Sequence, residues 1–293
     1  MSAVGILLRP EVPAPPPAVR SVWPALLRRP AARVGLTLAA VLALAAFLGP
    51  LLTVDPDVPD YATKLAPPSS AHWLGTDHAG RDLLARTLAG ARTSLGAALL
   101  VMTIAGVVGL LVGTLAGAIG GVVDTVLTRA TDVLLGLPSL VLTLAVVGVL
   151  GPGFWNLVLA MSATSWAGLA RLARSVARGS MRRPDVLAAR MAGVGSVRSI
   201  AGHVVPNVAS QVVVAATLGL GEAVLALGGL SFLGLGAQPP TSEWGTMLAT
   251  GRETFAYAPW QLLGPGLGLV LSVAAAALIS DALRDVTDPG RAK

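Results

Sequence analysis

The chain has 293 residues, of which 54% are hydrophobic and 12% charged, and its mean hydropathy is +0.74. A soluble globular protein carries about 25% charged residues, so the composition excludes an ordinary water-soluble domain and indicates a protein that lies in the lipid bilayer. The absence of cysteine excludes disulfides, thiolate metal sites and cysteine nucleophiles.

The N-terminal part combines a polar tail with one apolar run. Residues 1–33 are rich in proline and arginine, which is typical of a flexible tail. The run at residues 34–54 has the roughly 20 residues needed to cross a bilayer. A secretory signal peptide is the rival interpretation, but its apolar region is about 7–15 residues long and ends at a cleavage site with small residues. This run is longer and ends in Gly49-Pro50, so we expect a retained transmembrane helix.

Five more apolar stretches follow a polar segment at residues 55–92, which we predict to be extracytoplasmic. With the first run they predict an all-α integral membrane protein with six transmembrane helices. We assign residues 93–283 to one transmembrane domain and residues 284–293 to a C-terminal tail. The five stretches are residues 93–119, 133–150, 154–170, 211–235 and 262–279.

The basic residues predict the orientation. Cytoplasmic segments of membrane proteins carry an excess of Lys and Arg. With the N-terminus inside, sixteen of the 21 basic residues fall on the cytoplasmic side and five outside. Both termini and the large loop between the fourth and fifth spans are therefore predicted to be cytoplasmic.

The second and sixth spans carry glycines at intervals of four residues. Such a ridge lets two helix backbones approach closely. The sequence leaves open whether the contact forms within one subunit or between two. The glycines are Gly109, Gly113, Gly117 and Gly121 in the second span, and Gly264 and Gly268 in the sixth.

The cytoplasmic loop at residues 179–207 has the pattern of two short helices joined by a glycine turn. Pro184 suits a first helical turn, and Gly193 suits the left-handed residue that ends the helix. Ser196 is a predicted N-cap of a second short helix, which Pro206 is expected to end. An arginine-rich helix-turn-helix can also read DNA, but attachment to membrane spans on both sides argues against nucleic-acid binding. A structural elbow that contacts lipid phosphates is a further alternative.

The order of residues in this loop points to a family. Two alanines precede the glycine, and an Ile-x-x-His-x-x-Pro-Asn run follows it. This pattern resembles the EAA loop of binding-protein-dependent ABC importer permeases, which docks into a groove on a cytoplasmic ATPase. The resemblance implies that this loop couples the chain to such an ATPase, although Leu187 stands where many relatives carry Glu. The loop residues concerned are Leu187, Ala188, Ala189, Arg190, Gly193, Ile200, His203, Pro206 and Asn207.

Three further segments narrow the resemblance. Residues 72–84, 230–240 and 283–289 are similar to segments of the C-type permeases of dipeptide, oligopeptide and nickel importers. The resemblance implies the type I permease fold in a bacterial inner membrane. It also implies three partners: a second homologous permease, ABC ATPase subunits and an extracytoplasmic solute-binding protein. Peptides or related small solutes are the expected substrates, nickel or a metal chelate is the alternative, and an ion-coupled secondary transporter is the rival class.

Nothing in the sequence indicates catalysis by this chain. A Walker A loop needs Gly-Lys-Ser/Thr, and neither Lys64 nor Lys293 follows a glycine. We therefore expect no enzyme activity, no catalytic residue and no bound cofactor, with ATP and Mg²⁺ used by the partner ATPase. We also expect no metal site, because the three histidines lack thiols and clustered carboxylates. They are His72, His78 and His203.

Acidic residues supply two more candidates. Glu222 lies well inside a predicted span, where a carboxylate is costly and often functional. It either lines the translocation path, or forms a hydrogen bond to a neighbouring helix or reaches water. Asp77, Arg81 and Asp82 predict an ion-paired outer helix before the second span, with Asp77 as the expected helix cap.

Overall fold

The computed structural model describes residue 24 and residues 26–287, and the regular structure in this part of the chain is helical. Two short 3₁₀ turns lie at Tyr61–Thr63 and Pro259–Leu262, and a π-helical stretch lies at Ile200–Val204. The α-helices are α1 (Pro30–Leu52), α2 (Leu83–Ile119), α3 (Gly121–Leu135), α4 (Ser139–Leu150), α5 (Phe154–Ser180), α6 (Pro184–Met191), α7 (Ser196–Ser199), α8 (Val205–Phe232), α9 (Trp244–Glu253) and α10 (Leu263–Thr287).

Helix α2 begins ten residues before the start of the predicted second span. Its N-cap is Asp82, whose carboxylate accepts a hydrogen bond from the Ala85 amide at 2.8 Å. The prediction of Asp77 as the cap is therefore wrong. With 37 residues the helix is about 55 Å long, which exceeds the roughly 30 Å of bilayer hydrocarbon. Part of α2 must extend beyond the hydrocarbon.

The predicted span at residues 133–150 is wrong as a single helix. The chain breaks between α3 and α4, and the two helices meet at 89°. Pro138 stands immediately before α4, and a proline lacks an amide donor and disfavours a helical conformation in the residue before it. Hydropathy alone does not detect this break, because Gly136 and Leu137 continue the apolar run.

The remaining spans also differ in extent. Helix α5 continues ten residues past residue 170 and carries three arginines in its last three turns. Four helical stretches of the described chain are long and apolar enough to cross a membrane, or five if the bent pair of α3 and α4 counts as one span. Helix α5 has the length but is less apolar. The four stretches are Pro30–Leu52, Leu83–Ile119, Ser196–Phe232 and Pro259–Val286.

Helix α2 forms the centre of the bundle and packs along α5, α8 and α1. The glycine ridge makes the contact with α5 possible. A Cβ atom at Gly109, Gly113 or Gly117 would overlap backbone or side-chain atoms of α5. The ridge therefore packs within the subunit, whereas Gly121 begins α3 with a φ of 59°. On the other side of the bundle, Gly268 of α10 lies against the indole ring of Trp244.

Candidate coupling site

Helix α6 ends in a glycine turn with two characteristic hydrogen bonds. The Val194 amide donates to the Ala189 carbonyl at 3.1 Å, and the Gly193 amide donates to the Arg190 carbonyl at 3.0 Å. Gly193 has a φ of 86°. These features define a Schellman motif, which satisfies carbonyls that the helix end leaves free. The predicted helix end and left-handed glycine are confirmed.

The second helix of the segment is not short. It begins at Ser196, and Gly195, not Ser196, is its N-cap. From there one helical stretch runs through α7, the π-helical turns and α8 to Phe232. Pro206 lies in the first turn of α8, just after the π-helical turns. Their wider hydrogen-bond pattern accommodates the missing amide hydrogen of proline, so the expectation that Pro206 ends the helix is wrong.

Two contacts fix the segment to the transmembrane helices. The side chain of Val186 in α6 is fully buried, in a cluster with Ala177 of α5, Val204 of the π-helical stretch and Val208 of α8. In addition, the Asn207 side-chain amide donates to Ser180 Oγ, at the end of α5, at 2.8 Å. The segment is therefore held at the junction between α5 and α8.

The outer surface of the segment is apolar. The exposed fractions are 46% for Leu187, 85% for Met191 and 83% for Val197. A surface of this kind on a folded segment indicates contact with another protein or with lipid. Among the other predicted site residues, Ala188, Arg190, Gly193, His203 and Pro206 are exposed, and Ala189, Ile200 and Asn207 are half-buried.

Charged groups surround this apolar surface. Arg182, Arg190 and Arg198 are exposed, whereas Arg183 forms a surface ion pair with Asp185 at 3.1 Å. Desolvation raises the pKa of the Asp185 carboxyl, but hydrogen bonds from the Arg183 guanidinium and the backbone outweigh it and hold that pKa below its ordinary value. An exposed pair of this kind contributes little stability.

A buried carboxylate braces the helices above the segment. Asp124, in the first turn of α3, accepts hydrogen bonds from Arg174 Nε at 2.5 Å and Arg174 Nη2 at 2.9 Å. Arg178 Nη2 donates to the same carboxylate at 2.5 Å. Because Arg174 and Arg178 belong to α5, these bonds tie α3 to the helix that leads into the segment. Asp124 was not among the predicted site residues, because its partners lie 50 and 54 residues away in sequence.

A second buried carboxylate, Glu243, was also missed. It is 0% exposed and caps α9, accepting hydrogen bonds from the amides of Gly245 and Thr246 at 2.9 Å each. Ser94 Oγ of α2 donates to it at 2.9 Å. The neighbouring Trp244 is also buried and donates from its indole nitrogen to the Thr87 carbonyl of α2. Together these contacts fix α9 against α2.

Glu222 lies on α8. Its side chain is exposed on the surface of α8 and makes no hydrogen bond or ion pair within the described part of the chain. Leu227, on the same helix, is buried at 1% exposure in the core with Val101 of α2.

The segment before α2 is folded by ion pairs. Asp77 binds Arg81 Nε at 2.8 Å and lies 3.4 Å from Arg86 Nε, so the ion pairing of Asp77 with Arg81 is confirmed. The expected outer helix is wrong, because the chain turns at Gly80, which has a φ of 77°. His72 Nδ1 lies 2.9 Å from Asp82 Oδ2. His203 is exposed at the opposite end of the molecule from this segment, beside α7, and no group of three or more metal-ligating side chains occurs among residues 26–287.

Comparison with known proteins agrees with this architecture. The family model for the binding-protein-dependent transport system inner membrane component matches residues 109–293, and that for the N-terminal transmembrane domain of oligopeptide transport permease C matches residues 18–68. The chain is 40% identical over 258 residues to the nickel transport system permease protein NikC of Escherichia coli K12, covering 88% of this chain and 93% of the relative. It is 38% identical over 239 residues to the probable D,D-dipeptide transport system permease protein DdpC of the same strain, covering 82% of this chain and 80% of the relative. It is 37% identical over 296 residues to the dipeptide transport system permease protein DppC of Alkalihalophilus pseudofirmus, covering 97% of this chain and 96% of the relative. The chain therefore belongs to the family of binding-protein-dependent transport system inner membrane permeases.

Proposed function

We propose that this chain is one of two homologous permease subunits of an ATP-driven importer for peptides or related small solutes. An ABC ATPase docks on its cytoplasmic segment, and an extracytoplasmic solute-binding protein delivers the solute. The chain itself binds no cofactor, and ATP and Mg²⁺ act on the ATPase. Family membership supports this assembly.

The observation that carries the proposal is the geometry of residues 179–207. An exposed apolar surface with Leu187 and Met191 at its tip sits on a segment fixed to α5 and α8 through Val186 and the Asn207–Ser180 hydrogen bond. A docking element needs an apolar surface that a partner can bury and a rigid connection that transmits movement. This segment has both properties.

The topology proposed here has six spans with both termini in the cytoplasm. The bent pair α3–α4 supplies the third span and α5 the fourth. Residues 1–33 and 284–293 form the cytoplasmic tails, residues 55–92 lie outside, and residues 93–283 form the transmembrane domain. The last turns of α5 then place three arginines on the cytoplasmic side, where basic residues are favoured.

Glu222 is the proposed contribution of α8 to the translocation path. An exposed carboxylate on a membrane helix is stable where it faces water or a polar partner. The interface with the second permease, around a central water-filled path, provides such surroundings. The carboxylate then attracts cationic solutes to the path.

Peptides are the proposed substrate class because two of the relatives are named as dipeptide permeases. The alternative, nickel or a metal chelate, is supported by the 40% identity to the nickel permease. The cognate solute-binding protein, purified and analysed by mass spectrometry for its co-purified ligand, separates the two. A bound peptide supports the proposal, and a nickel chelate supports the alternative.

Energy coupling is tested with the assembled importer in proteoliposomes. We expect uptake to require ATP, the ATPase and the binding protein, and to persist when an ionophore removes all ion gradients. Uptake by this chain alone, driven by a proton or sodium gradient, would instead identify an ion-coupled secondary transporter.

A further inference from the structure

Helices α1, α2, α8 and α10 leave an open groove between them on one side of the subunit. Its volume is about 460 Å³, within the range of roughly 300–1,000 Å³ that holds small-molecule ligands in proteins. The groove exists because all four helices contribute small side chains to its wall. Examples are Ala43 of α1, Gly96 of α2, Gly221 of α8 and Ala276 of α10.

The wall of the groove suits hydrocarbon and not a polar solute. The lining includes two hydroxyl groups, and both donate within their own helices: Thr217 Oγ1 to the Val213 carbonyl at 2.8 Å, and Ser272 Oγ to the Gly268 carbonyl at 2.7 Å. A peptide or hydrated ion in this groove would lose hydrogen bonds to water without replacing them, which is costly. A chain of methylene groups has no hydrogen bonds to water to lose, so it enters the groove without this cost.

One end of the groove carries a single charge, the guanidinium of Arg92. The side chain is exposed and forms no ion pair or hydrogen bond with any other described residue. Glu222 does not neutralise it, because it projects about 100° away from Gly221 around α8 and does not line the groove. An unpaired charge beside bilayer hydrocarbon is costly, and a guanidinium pairs well with phosphate.

The dimensions of the groove match one leaflet of a bilayer. Along α1 the lining extends from Ala39 to Phe47, a rise of about 12 Å, and half the hydrocarbon thickness is about 15 Å. Arg92 lies near the end of α2 that begins at Leu83, and Leu95 and Leu99 follow it towards the bilayer centre. The charge therefore stands at the outer end of the groove and the hydrocarbon wall follows inwards.

We propose that this groove binds one phospholipid of the leaflet at the Leu83 end of α2. An acyl chain lies along the wall formed by the small residues, and the phosphate pairs with Arg92. The site is separate from the coupling segment and from the side of α8 that carries Glu222, so it binds a structural lipid and not a transported solute.

The test uses the assembled importer in nanodiscs that contain phosphatidylglycerol with a diazirine on its acyl chain. Photolysis followed by peptide mass spectrometry maps the labelled residues. We expect label on the groove-facing residues of α1 and α2, above the level on other lipid-facing helices. Gly96→Leu fills the groove, since a Cβ at Gly96 has no neighbour within 4 Å. Arg92→Gln removes the charge-assisted hydrogen bond to the phosphate. We expect Gly96→Leu and Arg92→Gln each to reduce the groove label roughly tenfold.

Two matched variants serve as controls. Gly148→Leu makes the same change at another open position, on α4, and Arg252→Gln removes an arginine that stacks on Phe232 instead. Both should leave the groove label unchanged. Groove label that survives either Gly96→Leu or Arg92→Gln overturns the proposal, because the lipid is then part of the general annulus. Absence of groove label also overturns the proposal. A disulfide between Ala43→Cys and a cysteine introduced into the second permease would then identify the groove as a subunit interface.

Discussion

The side-chain amide of Asn207 donates to Ser180 Oγ at 2.8 Å across 27 residues of sequence. This bond joins the end of α5 to the first turn of α8, and the whole candidate coupling segment lies in the loop that it closes. Ser180 is buried at 2% exposure, so its hydroxyl cannot replace the bond with water. Movement of the segment therefore reaches both helices together.

Asn207→Ala should loosen this junction. The substitution leaves the buried Ser180 hydroxyl without its partner, a loss of about 1–3 kcal/mol. We expect weaker binding of the ATPase and more ATP hydrolysed per solute imported, with normal amounts of protein in the membrane. A double-mutant cycle with Ser180→Ala isolates the contact. If the two single effects add without coupling, the hydrogen bond does not hold the segment.

The ion cluster at Asp124 gives a prediction about stability. Asp124→Asn removes the carboxylate that accepts hydrogen bonds from the partly exposed guanidiniums of Arg174 and Arg178, and losing a hydrogen bond to a charged group costs about 1.5–3 kcal/mol. We expect a clearly lower melting temperature of the purified complex in detergent. Asp132→Asn is the matched control, because its pair with Arg171 is 3.5 Å long and about half exposed. Equal melting temperatures for the two variants would contradict a bracing role for Asp124.

Local signals in the sequence predicted the elements whose determinants lie close together along the chain. The end of α6 follows from Gly193 and its immediate neighbours, and the Asp77–Arg81 pair spans four residues. The break before α4 was missed because a hydropathy average ignores the single residue Pro138 that causes it. The run of α8 past Pro206 depends on a local π-helical adjustment that no composition rule predicts.

The two buried carboxylates could not be predicted in the same way. The Ser94 partner of Glu243 lies 149 residues away in sequence, and the Arg174 partner of Asp124 lies 50 residues away. Only the packing of α2 against α9, and of α3 against α5, brings these groups together. In the sequence alone, both carboxylates look like ordinary residues of a loop or a helix end.

Glu243→Gln tests the cap of α9. The carboxylate accepts four hydrogen bonds from Ser94, Gly245 and Thr246. In glutamine an NH₂ group replaces one of the two oxygens, and this group cannot accept a hydrogen bond from these donors. We expect a loss of about 1–3 kcal/mol of stability, measured by thermal unfolding in detergent. Glu253→Gln, at the exposed other end of α9, should change little. An unchanged melting temperature for Glu243→Gln would show that the cap is dispensable.

Single cysteines test the proposed topology, because the natural chain contains none. Positions 70 and 241 are exposed in the segments proposed to lie outside, and position 182 is exposed in the coupling segment. An impermeant thiol reagent added to intact cells should label Ser70→Cys and Thr241→Cys but not Arg182→Cys. Labelling of Arg182→Cys in sealed cells would contradict the six-span arrangement.

Gly193→Val tests the coupling role itself. The φ of 86° at Gly193 is strongly unfavourable for a β-branched residue, although the space around its Cβ position is open, so the strain is confined to the turn. We expect normal membrane insertion, at least tenfold weaker ATPase binding (about 1.4 kcal/mol) and loss of substrate-stimulated ATP hydrolysis. Gly195→Val is the control, because Gly195 has an equally open Cβ position and a φ of −57° that any residue adopts. The measurements are co-purification of the ATPase with each variant and solute transport by the assembled importer. Full docking and full transport in Gly193→Val would mean that residues 179–207 do not couple this permease to ATP hydrolysis.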